Sequence, residues 1–164
     1  MTITRTLAAL ALTAATAATS VATAVTLAPA AQAATISAAT TWGPHYAPGR
    51  AAKAVGSLTA TGEDHDVIPT ADVVRVSGKV YDHARRSGIC GWAVFRVTYR
   101  DATGNLPFRH HSVRDCSYRT AKEFSFKYRD VYQVDLKVCA AGRTAKPSPT
   151  CLYAGTWKIL YLSK

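Results

Sequence analysis

The chain has 164 residues, with 20 Lys and Arg against 10 Asp and Glu, a formal charge of +10, and four cysteines. That length fits one domain able to bury a core. The charge balance speaks to anionic partners and not to fold, and past residue 33 no segment is apolar enough for a spanning helix.

Residues 1–33, MTITRTLAALALTAATAATSVATAVTLAPAAQA, carry one charge at Arg5, a long uncharged run, and small residues at Ala31 and Ala33. This is the anatomy of a secretory leader, cleaved after Ala33. Its Ala and Thr content argues against a membrane anchor. Removing it takes away one base and no acid, leaving a charge of +9. Residues 34–74 are net −2, so residues 75–164 carry +11. The expected mature protein is secreted, extracellular and soluble.

Residues 34–53 are rich in Ala, Thr, Gly and Pro and read as a flexible N-terminal arm, too poor in apolar surface to offset chain entropy. The folded domain is placed at 54–164. A first strand is expected at Val55 to Ala60, followed by the polar turn GEDHD and a break at Pro69. From Asp72 the pattern alternates with period two. In DVVRVSGKVYD, Val74, Val76, Gly78 and Val80 share the inward face. In WAVFRVTYR, Ala93, Phe95, Val97 and Tyr99 point in while Trp92, Arg96 and Arg100 point out. After the turn DATGN comes LPFRHHSV, placed at a sheet edge because Pro107 lacks an amide donor. EFSFKY turns Phe124, Phe126 and Tyr128 inward, and VYQVDLKVC does the same with Tyr132, Val134, Leu136 and Val138. No stretch of useful length has a helical period.

Four cysteines in an exported chain allow three pairings. Cys90 with Cys116 and Cys139 with Cys151 close the shorter loops, contributing about 3.5 and about 3 kcal/mol on the chain-entropy model. If Cys139 faces Cys151 in a hairpin, Val138 opposes Leu152 and Leu136 opposes Ala154. The apolar parity then jumps to Trp157, Ile159 and Tyr161, which predicts a β-bulge at Gly155 to Thr156 that sets Trp157 against Val134 and Ile159 against Tyr132. Short strands separated by Gly, Pro and Asp turns predict an all-β fold, an antiparallel immunoglobulin-like β-sandwich with two disulfides; a small β-barrel is the alternative.

The Ala/Thr leader, VRVSGKVYD ahead of a cysteine and an aromatic strand, and VYQVDLKVC before a second cysteine and an aromatic C-terminal strand form one pattern. In these features the chain resembles small secreted actinobacterial proteins with a two-disulfide β-sandwich-like domain, a group without an assigned activity. The resemblance implies export and fold only. The cysteine spacings of the secreted apoproteins that carry enediyne antibiotics do not match.

No catalytic machinery is visible. His110 and His111 are neighbours on a strand and point to opposite faces, so they cannot ligate one metal ion. Glu63, Asp64, His65 and Asp66 offer oxygens to a hard cation but lack the spacing of a calcium loop. Ser112, His111 and Asp115 supply triad residue types from one short segment, without a G-x-S-x-G elbow. No phosphate loop, zinc spacing or redox C-x-x-C is present. The expectation is therefore a non-enzymatic binding or interaction protein with no cofactor and no metal.

Two binding readings follow. Arg75, Lys79, Trp92, Arg96 and Arg100 recur at outward strand positions, joined by Lys127, Arg129 and Lys137 and by Arg85 and Arg86 in a loop. If those faces share one sheet they form a cationic plate with an aromatic for stacking, suited to a cell-wall or other extracellular polyanion. The alternative is a protease inhibitor using the disulfide-closed loop 139–151, where Pro147 and Pro149 stiffen a segment that exposes Arg143 and Lys146.

Overall fold

The computed structural model describes residues 38–164. The expected leader, and residues 34–37 of the expected arm, lie outside the described residues. Seven strands follow in order: β1 Thr40–Tyr46, β2 Ala52–Glu63, β3 Ala71–Asp82, β4 Ile89–Tyr99, β5 Phe108–Asp115, β6 Ala121–Gly142 and β7 Lys158–Leu162. A single turn of 3-10 helix spans Pro48–Arg50, and a five-residue helix, α1, spans Pro149–Tyr153.

Every strand pairing is antiparallel, in the order β1-β2-β3-β6-β4-β5, with β7 also on β6. The all-β, sandwich-like fold with two disulfides stands as the alternation predicted. Its two layers are joined through β6, which runs for 22 residues. The first part of β6 pairs with β3, from Tyr81 opposite Ala121 to Ala71 opposite Val131. The rest pairs with β4 as far as Ile89 opposite Gly142. The change of partner falls beside Asp130, whose φ of 52° turns the strand where the β4 register also shifts. Strands that pass between layers do so at such bends.

Between the layers lie Val74, Val76 and Val80 from β3, Ala93, Phe95 and Val97 from β4, and Val134, Leu136 and Val138 from β6. Phe95 packs edge-on to Phe126 at 5.0 Å and to Trp42 at 6.0 Å. Both disulfides join the expected partners, Cys90 with Cys116 and Cys139 with Cys151. β5 lies at an edge of the sheet. Among the described residues no helix is long and apolar enough to cross a membrane.

Three expectations need correction. The arm is not free over 40–53: β1, the 3-10 turn and the start of β2 occupy it, and Trp42 is 8% exposed. Cross-strand pairing and one buried indole compensate for its thin apolar content. Trp92 points away from the core between the layers, as expected, but it is not open to solvent: it is 1% exposed, inside a second small core with Cys90, Val94, Cys151, Leu152 and Trp157. The segment after Cys139 folds over the outer face of β4 and buries it. The C-terminal hairpin also differs. Cys151 sits in α1, which Ser148 caps by accepting from the Cys151 amide at 3.2 Å. Proline in the first turn and a serine cap favour a helix start over a strand. β7 therefore pairs only Leu136 with Lys158, Asp135 with Ile159, Val134 with Tyr161 and Gln133 with Leu162, and its irregularity lies at Leu160 instead of Gly155 to Thr156.

Candidate polyanion-binding face

Because Val74, Val76 and Val80 point into the core, Arg75, Ser77, Lys79 and Tyr81 point away from it. The register extends these positions into rows across the outer face of the first layer. Thr59, Arg75 and Lys127 form one row; Thr41, Ser57, Ser77 and Ser125 form the next; Val55, Lys79 and Glu123 another; Tyr46, Lys53, Tyr81 and Ala121 a fourth. Arg129, opposite Val73, extends the same face. Five cations, Lys53, Arg75, Lys79, Lys127 and Arg129, thus share these rows with one carboxylate, Glu123.

The arrangement is electrostatically unusual at Arg75 and Lys127. They are direct cross-strand partners, both exposed, and among the described residues neither forms an ion pair. Like charges placed directly opposite destabilise a sheet, by up to about 1 kcal/mol. The one acid, Glu123, meets Lys79 at 2.8 Å with both side chains well exposed. Its hydrogen bond raises the Lys79 pKa and lowers the Glu123 pKa, but such exposed pairs are weak. Two tyrosines border the face. Lys53 Nζ lies 4.0 Å from the Tyr81 ring centre, and the Arg50 guanidinium 4.2 Å from that of Tyr46.

The rest of the predicted plate lies elsewhere. β3 and β4 belong to opposing layers, so their outer faces look in opposite directions. Arg96 bonds Asp135 through Nε at 3.0 Å and Nη2 at 2.9 Å. Lys137 is buried against Trp157 and donates to the carbonyls of Ala154 at 2.7 Å and Leu152 at 3.3 Å. Burial, and then the nearby Arg96, lower its pKa. Arg100 donates to Asp64, to Asp66 at 3.0 Å and to the Ile68 carbonyl at 2.9 Å. A guanidinium therefore fills the acidic turn once considered for a cation. The Asp64 carboxyl is held at about 2, first by the Thr70 amide and further by the Thr70 hydroxyl, the Asp66 amide and Arg100, against a desolvation penalty.

No family model matches the chain. No curated protein and no solved structure matches it either.

The remaining candidates are dispersed. His110 stacks on Trp157 at 5.8 Å, and His111, on the other face of β5, stacks on Phe126 at 3.9 Å. Burial lowers the pKa of both, most simply for His111. Ser112 is on the His110 face, and buried Asp115 accepts from the amides of Asp82 and Ser117, so no relay forms. Among the described residues no three His, Cys, Asp or Glu side chains group as a metal site. Arg143 and Lys146 are exposed. The loop carrying them turns on Thr144, whose hydroxyl donates to the carbonyls of Lys146 at 2.6 Å and Gly142 at 3.3 Å.

Lys53, Tyr46 and Tyr81 escaped the sequence-based site. Lys53 and Tyr46 fell within the expected arm, and Tyr81 alternates with the inward-facing Val80 but has no charge to mark it. The signal was present: Ala52, Ala54, Leu58 and Ala60 alternate as buried positions on β2, but alanine marks a strand face weakly.

Proposed function

We propose that this is a secreted, non-enzymatic protein that binds an anionic extracellular polymer through the outer face of the β1–β2–β3–β6 layer. The Arg75–Lys127 pair carries this reading. A sheet that sets two unneutralised cations opposite each other is destabilised in isolation and gains when a phosphate or carboxylate chain lies over them. Lys53, Lys79 and Arg129 extend the charge, the Ser77 row offers hydroxyl donors, and Tyr46 and Tyr81 offer ring faces. On the second layer Arg96, Arg100 and Lys137 already have protein partners. Two disulfides suit an oxidising compartment.

The test is titration with a poly(glycerol phosphate) chain at several salt concentrations. The triple variant Arg75→Gln, Lys127→Gln, Arg129→Gln should lose at least about tenfold in affinity, with the salt slope shallower by roughly 2 to 3. A charge-matched control, Arg109→Gln, Lys146→Gln, Lys164→Gln, should lose much less. Equal losses in the two triples would reduce the face to a generally basic surface.

A further inference from the structure

A second cationic feature lies off the sheet face. The loop after β3, the Cys90–Cys116 disulfide and the start of the 139–151 loop border an open cavity of about 520 Å³. Arg85, Arg86 and Arg143 line it, and among the described residues none of them forms an ion pair. The one carboxylate in its wall, Asp82, is 2% exposed. Asp82 Oδ1 accepts from the Ala84 amide at 2.8 Å. Its pKa is raised by burial and by the neighbouring Asp115 charge, although the Ala84 bond and His83 lower it. That carboxylate is committed to its own turn and does not reach out to the arginines.

The walls are fixed. The disulfide ties Cys90 to Cys116, the Arg143 amide donates to the Gly88 carbonyl at 2.9 Å, and the Arg119 amide donates to the Asp82 carbonyl at 2.8 Å. Arg85 Nε donates to the Tyr118 hydroxyl at 3.3 Å, which leaves the phenolic hydrogen available to another acceptor. Three exposed guanidinium forks and a phenol, carried on a backbone fixed by the disulfide and these main-chain bonds, match a compact oxyanion with several acceptor oxygens. The volume leaves room for an organic group behind the anion.

We infer that this cavity is a binding site for a phosphate or sulfate monoester, with Arg85, Arg86 and Arg143 gripping the oxyanion and Tyr118 donating to it. The site uses none of the sheet-face residues and stands or falls apart from the reading above. It also gives the loop 139–151 a role: Arg143 is delivered to a cavity shared with the 84–90 loop.

The probes are phenyl phosphate and phenyl sulfate, titrated into the 15N-labelled protein with chloride at matched ionic strength as control. The expected result is saturable shifts of the arginine Nε–H signals of Arg85, Arg86 and Arg143 and of the Gly88 amide. Arg86→Gln and Arg143→Gln should each weaken binding about tenfold, with otherwise superposable spectra showing an intact fold. The sheet-face triple variant should bind the probes unchanged. Tighter binding of one ester identifies which of the two the cavity takes. Equal shifts with chloride, or undiminished affinity in both arginine variants, would overturn the site.

Discussion

Gly56 faces Gly78 across β2 and β3 because carbonyl oxygens of the neighbouring strand, and next to them aromatic rings, occupy the space their side chains would need. A Cβ on Gly56 would lie 2.1 Å from the Ser77 carbonyl oxygen and 2.4 Å from Trp42 Cζ2. The carbonyl belongs to the paired strand and cannot yield, so Gly56→Ala should destabilise by about 1 to 3 kcal/mol, read as a lower urea midpoint at constant slope; an unmoved midpoint would show that β2 and β3 do not approach so closely there. Asp64 makes a pH-dependent contribution. Its folded pKa of about 2 lies below the ordinary 3.8, so the folded state holds the proton less tightly than the unfolded one. The stabilisation is complete above about pH 4 and fades as pH falls towards 2. Asp64→Asn should therefore melt lower than the wild type by on the order of 5 °C at pH 6, with the gap closing near pH 2. A gap independent of pH would remove the carboxylate from the account.

At the scale of elements, what was legible depended on whether a face met one environment. β3 has one face in the core and one in solvent, and its alternation gave the correct residues on both sides. β4 breaks that rule because both its faces are buried. Cys90, Trp92 and Val94 on its outer side are all apolar, the mark of a central strand covered twice, but the nearby Arg96 suggested an open surface. The covering element is α1, too short to show a helical period and visible only as Ser148 before Pro149. The site was half legible for the same reason: Arg75 and Lys79 sit on a strand with one wet face, whereas the positions of Arg96 and Arg100 depend on which layer β4 joins, and local alternation contains no such information. Cys139–Cys151 holds α1 against Trp92 and Trp157. Replacing both cysteines with serine should remove about 3 kcal/mol and, as the helix lifts, red-shift tryptophan emission before global unfolding. A cooperative loss without that early shift would mean that packing alone holds the helix.

For the whole molecule the decisive element is β6. It contributes ladder bonds to both layers within one continuous strand, and the core between the layers is drawn from both of its parts. Two separate sheets could loosen independently, but here parting the layers requires breaking β6 from β3 or from β4, which exposes Phe95, Phe124 and Phe126 together. Unfolding should therefore be a single transition, as small domains commonly show. The indoles provide the readout, since Trp42 reports the core between the layers while Trp92 and Trp157 report the outer face of the second. In variants retaining only Trp42, or only Trp92 and Trp157, the tryptophan midpoint in urea should coincide with that same variant's backbone circular-dichroism midpoint. The bend offers a sharper form of the same test: Asp130→Val forces a β-branched residue to a φ of 52°, at about 1 to 2 kcal/mol. That loss should lower both indole transitions equally, because the strain enters through the strand the layers share. If Trp42 responds while Trp92 and Trp157 do not, the layers are separable units and β6 is a tether between them instead of their common spine.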